Sequence, residues 1–387
     1  MAETLPEAPW TRREDLLALV TALGAGNARY VGGAVRDTLL GIEVKDVDVA
    51  TPLVPQDVIA RLDAAGIRSV PTGIEHGTVT AILPDGPVEI TTLRHDVSTD
   101  GRRATVAFAS EWQDDAARRD FTINALYTDP ATREIFDYFD GLDDLKTRRV
   151  RFIGDARERI REDHLRILRY FRFQARFGSQ PADNLAEEAC SELAATLKGL
   201  SRERIGMELL NLLGLADPAP TVMRMEELGV LAEILPEGDP KALTALTMQE
   251  RGQHVAPDSI RRLAALLPAD VPLAEQIAAR FRLSGAQKKR LVAAARRETD
   301  PGDARALAYR LGREEALDRL LMAGADVAPL DGWDIPQFPL KGGEIVARGV
   351  KAGPDVARIL QAVEARWVTE GFPGPDRIEA LLAEELG

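Results

Sequence analysis

The chain carries one cysteine, Cys190, in 387 residues. A single thiol excludes an intrachain disulfide and fits a reducing compartment, so a cytoplasmic location is expected. Cys190 lies in an Ala/Glu/Leu-rich helical pattern, which suits a buried structural thiol better than a nucleophile. No stretch approaches the roughly 20 apolar residues that span a bilayer, and the first residues, MAETLPEAPWTRREDLLALV, lack the basic-then-apolar order of a signal peptide. A soluble protein with no membrane partner is expected. Fixed-period repeats and low-complexity segments are also missing. The four histidines (His76, His95, His164, His254) are scattered and form no His-Asp pair of metal-ligand spacing.

Positive charge is in deficit. Forty-nine Lys and Arg stand against 62 Asp and Glu, a net charge of −13. On its own this argues against nucleic-acid binding, because neutralising phosphates demands a basic surface. Residues 146–177 depart from the average, with eleven basic residues against four acids and a local charge of +7. A basic strip on an acidic body suits a polyanion that must bind in one place and then leave.

What is present reads as an ordinary globular chain, long enough for about two to four domains. Up to about residue 145, β-rich runs at 28–31, 46–50, 78–83, 87–93 and 104–108 alternate with helical spacing at 12–23 and 55–65. Pro55 fits the first turn of the second helix and Gly66 its stop. Beyond about residue 155 the pattern is almost entirely amphipathic helix, at 156–177, 184–198, 202–214, 258–267, 284–298, 303–311 and 355–371, broken by Pro/Gly stretches such as 216–220 and 235–240. The fold class expected is α+β: a head over 1–145 with a mixed sheet and helices, then all-α segments over 146–215, 216–300 and 301–387.

Residues 30–51, YVGGAVRDTLLGIEVKDVDVAT, carry the strongest chemical signal. A strand ends in Gly32-Gly33 and a helix follows, an arrangement that lets a phosphate approach the backbone. Arg36, one turn on, can add a fork of donors. In a strand, Asp46 and Asp48 project to one side while Val47 and Val49 face the core. Two carboxylates converging on one point suit Mg²⁺ carrying nucleotide phosphates. In RRDFTINA (118–125), Arg119 can pair with triphosphate oxygens, and Asp120 and Asn124, four apart, can read ribose hydroxyls. In EDHLRILRYFR (162–172), Asp163, Arg166, Arg169 and Arg172 recur every three residues as a stripe beside an apolar one of Leu165, Leu168 and Phe171. Three arginines beside one Asp, without matching acids, read as a polyanion site.

The run Gly-Gly-Ala-Val-Arg-Asp followed by Lys-Asp-Val-Asp-Val-Ala-Thr resembles the first signature of class II tRNA nucleotidyltransferases and bacterial poly(A) polymerases. The later signatures follow in order: RRDFTINA, DGLDDL (140–145, with Leu142 where a second glycine is more usual), EDHLRILRYFR and SRERIGMEL (201–209). The stretch 340–360 resembles the family's tail region, so the likeness covers nearly the whole chain. It implies a polymerase-β-like nucleotidyltransferase head with helical neck, body and tail, and addition of CCA to tRNA from CTP and ATP with release of pyrophosphate. It also implies two Mg²⁺ ions on Asp46 and Asp48, triphosphate held by Gly32, Gly33, Arg36 and Arg119, and bases read by Asp163 and Arg166. Arg169 and Arg172 become further nucleotide contacts, and Glu89 a candidate third carboxylate. The polar turn 94–103 becomes a loop that helps switch from C to A addition. The scattered histidines mean that the phosphohydrolase domain of some relatives is not expected, and neither DNA nor a protein partner is implied. A poly(A) polymerase or a CC-adding enzyme are rivals within the family. A non-catalytic RNA-binding protein is the rival outside it, disfavoured by intact Asp46 and Asp48.

Overall fold

The strands form where β-branched and apolar residues cluster. In the computed structural model, which describes residues 3–100, 103–109, 111–297 and 303–387, they are β1 (Arg29–Val31), β2 (Asp48–Thr51), β3 (Ser69–Gly73), β4 (Thr78–Leu83), β5 (Gly86–Thr92), β6 (Arg94–Asp100), β7 (Arg103–Phe108), β8 (Leu126–Thr128) and β9 (Ile135–Asp137). Seven of them make one mixed sheet in the order β3-β4-β5-β2-β1-β8-β9. In it β2 and β5 pair parallel and every other neighbouring pair is antiparallel. Directly paired residues share a face, and the register sets Tyr127, Val31, Asp48 and Glu89 in one row across four strands. The row is apolar and buried at Tyr127 and Val31 and exposed at Asp48 and Glu89.

The helices around this sheet are α1 (Glu14–Leu23), α2 (Gly33–Leu39), α3 (Pro55–Ala64), α4 (Trp112–Ala117) and α5 (Gly141–Lys146). Pro55 takes the first turn of α3, and Gly66, at φ +72°, follows its end as expected. Next come α6 (Ala156–Glu162), α7 (Arg166–Phe177), α8 (Asn184–Glu192), α9 (Arg202–Leu213), α10 (Ala219–Glu227) and α11 (Val230–Ile234). The chain divides into two compact units, Met1–Pro236 and Glu237–Gly387. The second is helical throughout the described residues: α12 (Pro240–Gly252), α13 (Ser259–Leu266), α14 (Val271–Arg280), α15 (Gly285–Ala295), α16 (Ala304–Leu311), α17 (Arg313–Met322), α18 (Gly342–Ala347), α19 (Pro354–Thr369) and α20 (Pro375–Leu386).

Four expectations need correction. The helix expected over 156–177 is two helices. Asp163 sits between them in extended backbone and turns its carboxylate to the Leu165 N–H (3.1 Å), a side-chain bond that competes with the helical ladder. The helix expected over 184–198 ends at Glu192 and continues as a 3₁₀ turn, Ala194–Gly199. The strand expected over 46–50 begins at Asp48, so Asp46 lies in the segment leading into it. The polar turn expected at 94–103 is instead mostly the antiparallel ribbon of β6 and β7, with residues 101 and 102 outside the described residues.

In the first unit, the signature segments pack on one another. A Cβ on Gly141 would stand 2.3 Å from the Thr122 carbonyl oxygen, so only glycine lets α5 approach residues 122–124 this closely. Asp144 then accepts from the Thr122 hydroxyl (2.6 Å) and from Arg151 Nε (2.8 Å). Phe121 packs its ring on Phe152 (5.0 Å between centroids) and on Phe173 of α7 (4.9 Å), tying the sheet side to the helices that follow.

The second unit buries an ionic knot. Glu250 of α12 accepts from Arg261 (2.7 Å) and Arg262 (2.8 Å) of α13, and Arg261 Nε also donates to Asp318 of α17 (2.7 Å). Arg262, Glu250 and Asp318 are at most 2% exposed. Removing one partner strands buried charge, which costs about 3–5 kcal/mol. Glu250→Ala is therefore expected to lower the unfolding free energy of the full chain by that amount, read from denaturant titration by far-ultraviolet circular dichroism. A loss under about 1 kcal/mol would show the knot to be replaceable.

Candidate active site

The chain leaves β1 at Val31 and turns sharply into α2 through Gly32, whose φ of +70° and ψ of −121° suit glycine. A Cβ there would also meet Arg119 Nη1 at 3.4 Å. The bare turn therefore lies against a guanidinium carried by a segment nearly 90 residues later. Arg119 is held from behind: its Nε donates to the Tyr127 hydroxyl (3.0 Å) and its Nη2 to Asp115 (3.2 Å).

Arg36 is placed differently from the expectation. It is 6% exposed, bound to its neighbour Asp37 (2.8 Å), donates to the Asn124 side-chain oxygen and stacks over the Phe177 ring at 4.1 Å. Its fork is spent inside the protein, because the aromatic floor comes from α7, some 140 residues downstream. Asn124 in turn donates to Asp120 (3.0 Å), and Asp120 accepts from Arg169 Nε (2.9 Å). Asp120, Asn124, Arg36 and Arg169 are thus joined in one hydrogen-bonded chain. Burial alone would raise the Asp120 carboxyl. Arg169, Asn124 and the Phe121 N–H outweigh it and hold the group below its ordinary value.

The carboxylates lie along the exposed edge of the cross-strand row. Asp48 and Glu89 are register partners in the parallel pair, and Asp46 precedes them by one alternation with Val47 buried between. Although Asp48 reaches the surface, the fold packed around its carboxyl strips away part of the hydration and raises the group above its ordinary value. The negative charges of Glu89 and Asp46 add to the rise, and Arg119 opposes it. Arg119 therefore acts on the glycine turn and on Asp48 together. Among the described residues, no three His, Cys, Asp or Glu side chains already form a closed metal-ligating cluster. What the rim offers is oxygen donors that repel one another, and a hard divalent cation relieves that repulsion.

The fourth signature is also rearranged. Asp163 precedes α7 and accepts from Arg204 of α9 (2.8 Å). Arg166 donates through Nη1 to the Arg159 carbonyl (2.7 Å) and to Glu162, and its Nη2 lies 3.4 Å from the Arg118 carbonyl. Arg159 itself donates to the carbonyls of Arg118 and Arg119. The expectation that these arginines lack matching acids is overturned. Arg166 pairs with Glu162, Arg169 with Asp120 and Arg172 with Glu208 of α9 (2.7 Å). Leu165, Leu168 and Phe171 are buried as expected. Across 146–177, only Arg148 and Arg161 form no ion pair among the described residues, so most of the +7 strip is neutralised within the fold.

Three residues escaped the sequence reading. Asp115, 1% exposed, binds Arg118 (2.8 Å), Arg119 and the Tyr127 hydroxyl (2.6 Å). Its spacing of three and four before an Arg-Arg pair was the local signal available. Arg204 and Glu208 stand at helical spacing within SRERIGMEL, but their partners are about 36–41 residues away in sequence.

A family model described as the poly A polymerase head domain matches residues 28–151, and one described as the probable RNA and SrmB-binding site of polymerase A matches residues 183–241. The mitochondrial CCA tRNA nucleotidyltransferase 1 of Mus musculus is 34% identical over 369 residues, covering 89% of this chain and 83% of that protein. A CCA-adding enzyme of Staphylococcus aureus is 38% identical over 188 residues, 48% of this chain and 46% of its own. Among solved structures, the Bacillus stearothermophilus CCA-adding enzyme in complex with CTP aligns with a TM-score of 0.72 at 26% identity, over 98% of each chain. With a mixed-sheet head, the five signatures in order and relatives of this identity across most of its length, the chain belongs to the family of the CCA tRNA nucleotidyltransferases and poly(A) polymerases.

Proposed function

We propose that this protein adds CCA to the 3′ end of tRNA, transferring CMP twice and then AMP from CTP and ATP with release of pyrophosphate. The observation that carries the reading is the meeting of a carboxylate rim (Asp46, Asp48, Glu89) with a glycine turn faced by Arg119. The mouse relative is named a CCA tRNA nucleotidyltransferase, and the Bacillus stearothermophilus enzyme was solved with CTP.

Asp46 and Asp48 are assigned to Mg²⁺, with Glu89 beside them as a third carboxylate. Bound there, Mg²⁺ would supply Lewis-acid activation of the attacking 3′-hydroxyl and neutralise charge on the leaving pyrophosphate. The backbone at Gly32 and Gly33 admits the triphosphate, and Arg119 donates to it. Arg36, Asp120, Asn124 and Arg169 act one layer behind, holding the 118–124 segment against α2 and α7. Arg172, fastened to Glu208, steadies α7. Asp163 keeps lone pairs free beyond its bonds to Arg204 and the Leu165 N–H, and Arg166 keeps Nε free, so together they present an acceptor and a donor to a base edge.

The catalytic head is assigned to 1–145, base reading to the neck over 146–215, and tRNA contact to the tail over 301–387. The ribbon of β6 and β7 is assigned the switch from C to A addition. No described helix is long and apolar enough to cross a membrane. The one buried thiol suits a reducing cytoplasm, although the mouse relative is named as mitochondrial.

Incubated with tRNA lacking its 3′ CCA, all four NTPs and Mg²⁺, the protein is expected to leave ends that sequence as CCA. Runs of A alone would make it a poly(A) polymerase. Asp46→Ala and Asp48→Ala are each expected to abolish both C and A transfer with the fold intact, and activity above a few per cent in either would remove the carboxylates from the chemistry.

Base choice gives a sharper test. Cytosine and adenine present an amine beside an acceptor, whereas uracil and guanine put a carbonyl at the amine's place. Facing that carbonyl, Asp163 is left an unmet acceptor at a cost of about 1–3 kcal/mol, roughly ten- to hundred-fold in selectivity. Asp163→Ala and Arg166→Ala are expected to narrow the preference for CTP over UTP and for ATP over GTP in kcat/KM. Uniform slowing with the preferences unchanged would make these residues scaffold.

A further inference from the structure

The wall behind the glycine turn is apolar: Val31, Ala116, Ala125 and Tyr127 belong to one buried cluster, with Trp112, Phe136 and Tyr138 against it. Into this wall the fold sets a carboxylate, a phenol and a guanidinium bound to one another. Replacing such a buried charged set by apolar residues is often neutral or stabilising, so packing alone does not account for it.

The bonds have a direction. Tyr127 Oη donates to Asp115 Oδ2 (2.6 Å) and accepts from Arg119 Nε (3.0 Å), while Asp115 Oδ2 also accepts from Arg119 Nη2 (3.2 Å). Asp115 Oδ1 is occupied by Arg118 (2.8 Å). Two edges of the Arg119 fork are thereby taken from behind. Nη1 makes no hydrogen bond among the described residues, and it is the atom 3.4 Å from the position a Gly32 Cβ would occupy. Tyr127 cannot drift, because its strand pairs it with Val31 and the Leu126 carbonyl accepts from the Gly32 N–H (3.1 Å). The anchor for the arginine and the turn it faces are carried on adjacent, directly bonded strands.

We propose that Asp115 and Tyr127 are positioning residues that lock Arg119 with its Nη1 edge presented over the Gly32 turn, so that the arginine meets a nucleotide's phosphates without reorganising. This rests on the reading of Arg119 as a triphosphate ligand. Burial and the charge of Asp115 both hold the Tyr127 hydroxyl in its protonated form, and Arg119 stays cationic despite its surroundings, so the donor–acceptor order of the set is maintained.

The test is binding of CTP and of cytidine, which has the base and ribose but no phosphate, to the full chain with Mg²⁺ and without tRNA. Tyr127→Phe keeps the ring and removes the hydroxyl's bonds to Arg119 and Asp115, so about a tenfold weakening for CTP is expected, with cytidine unchanged. Asp115→Asn, which keeps the shape and removes the charge, is expected to act the same way and more strongly. In an Arg119→Ala background, Tyr127→Phe is expected to add nothing, since the group it positions is gone. Wild-type CTP affinity in Tyr127→Phe, or equal losses for CTP and cytidine, would overturn the proposal. If Arg119→Ala itself binds CTP normally, the triphosphate reading of Arg119 fails instead.

Discussion

The ion pair between Asp120 and Arg169 is the constraint on which the rest of the first unit turns. Asp120 belongs to the segment between α4 and β8, and Arg169 to α7, so the bond joins the sheet side of the unit to the helical side at a buried point. Everything functional nearby is attached to one end of it or the other. On one side Asp120 holds Asn124, Asn124 holds Arg36, and Arg36 lies on the Phe173 and Phe177 rings. On the other, α7 carries Arg166 and Arg172, and its entry carries Asp163. A buried carboxylate bound this way cannot shift without exposing an uncompensated charge, so the segment that carries Arg119 and the helix that carries Arg166 are pinned to each other.

Charge is used locally in this protein and hidden globally. The strip 146–177 counts as strongly basic, yet most of its arginines are paired, with Glu162, Asp120, Glu208, Asp183, Asp144 and Asp37 among their partners. The acidic surplus of the chain and its basic window are therefore partly the same structure seen from two sides. A surface without a broad positive field will not hold polyanions indiscriminately, and recognition must come from a few donors left open at defined places.

The strand β4 was legible residue for residue and β5 to within one residue at each end, because burial of one face imposes a period of two on the sequence. The strands β8 and β9 were not: each has three residues, and, unlike the equally short β1, neither was read as a strand in the sequence. The ends of α6 and α7 were hidden by Asp163, whose helical spacing to Arg166 is real in sequence but whose side chain prefers a local bond to the backbone. At the site, the alternation of Asp46 and Asp48 was visible because it is local. The burial of Arg36 was invisible, because its aromatic floor comes from α7. The same holds for the acids that match Arg169 and Arg172, which arrive from other elements. The pairing of Glu89 with Asp48 depended on a parallel register that no local pattern encodes.

That parallel pairing has a mechanical meaning. Between β2 and β5 the chain runs through α3, β3 and β4, and the two carboxylates it returns to adjacency are spaced by main-chain hydrogen bonds. Asp48 and Glu89 cannot swing their backbones apart to escape one another, and the sheet bears the load of their repulsion. The rim is a stiff gauge: whatever enters and leaves it, the distance between the two strands stays near the ~4.8 Å of any sheet. A site that must accept three nucleotides in succession gains from a jaw whose width does not depend on which of them it last released.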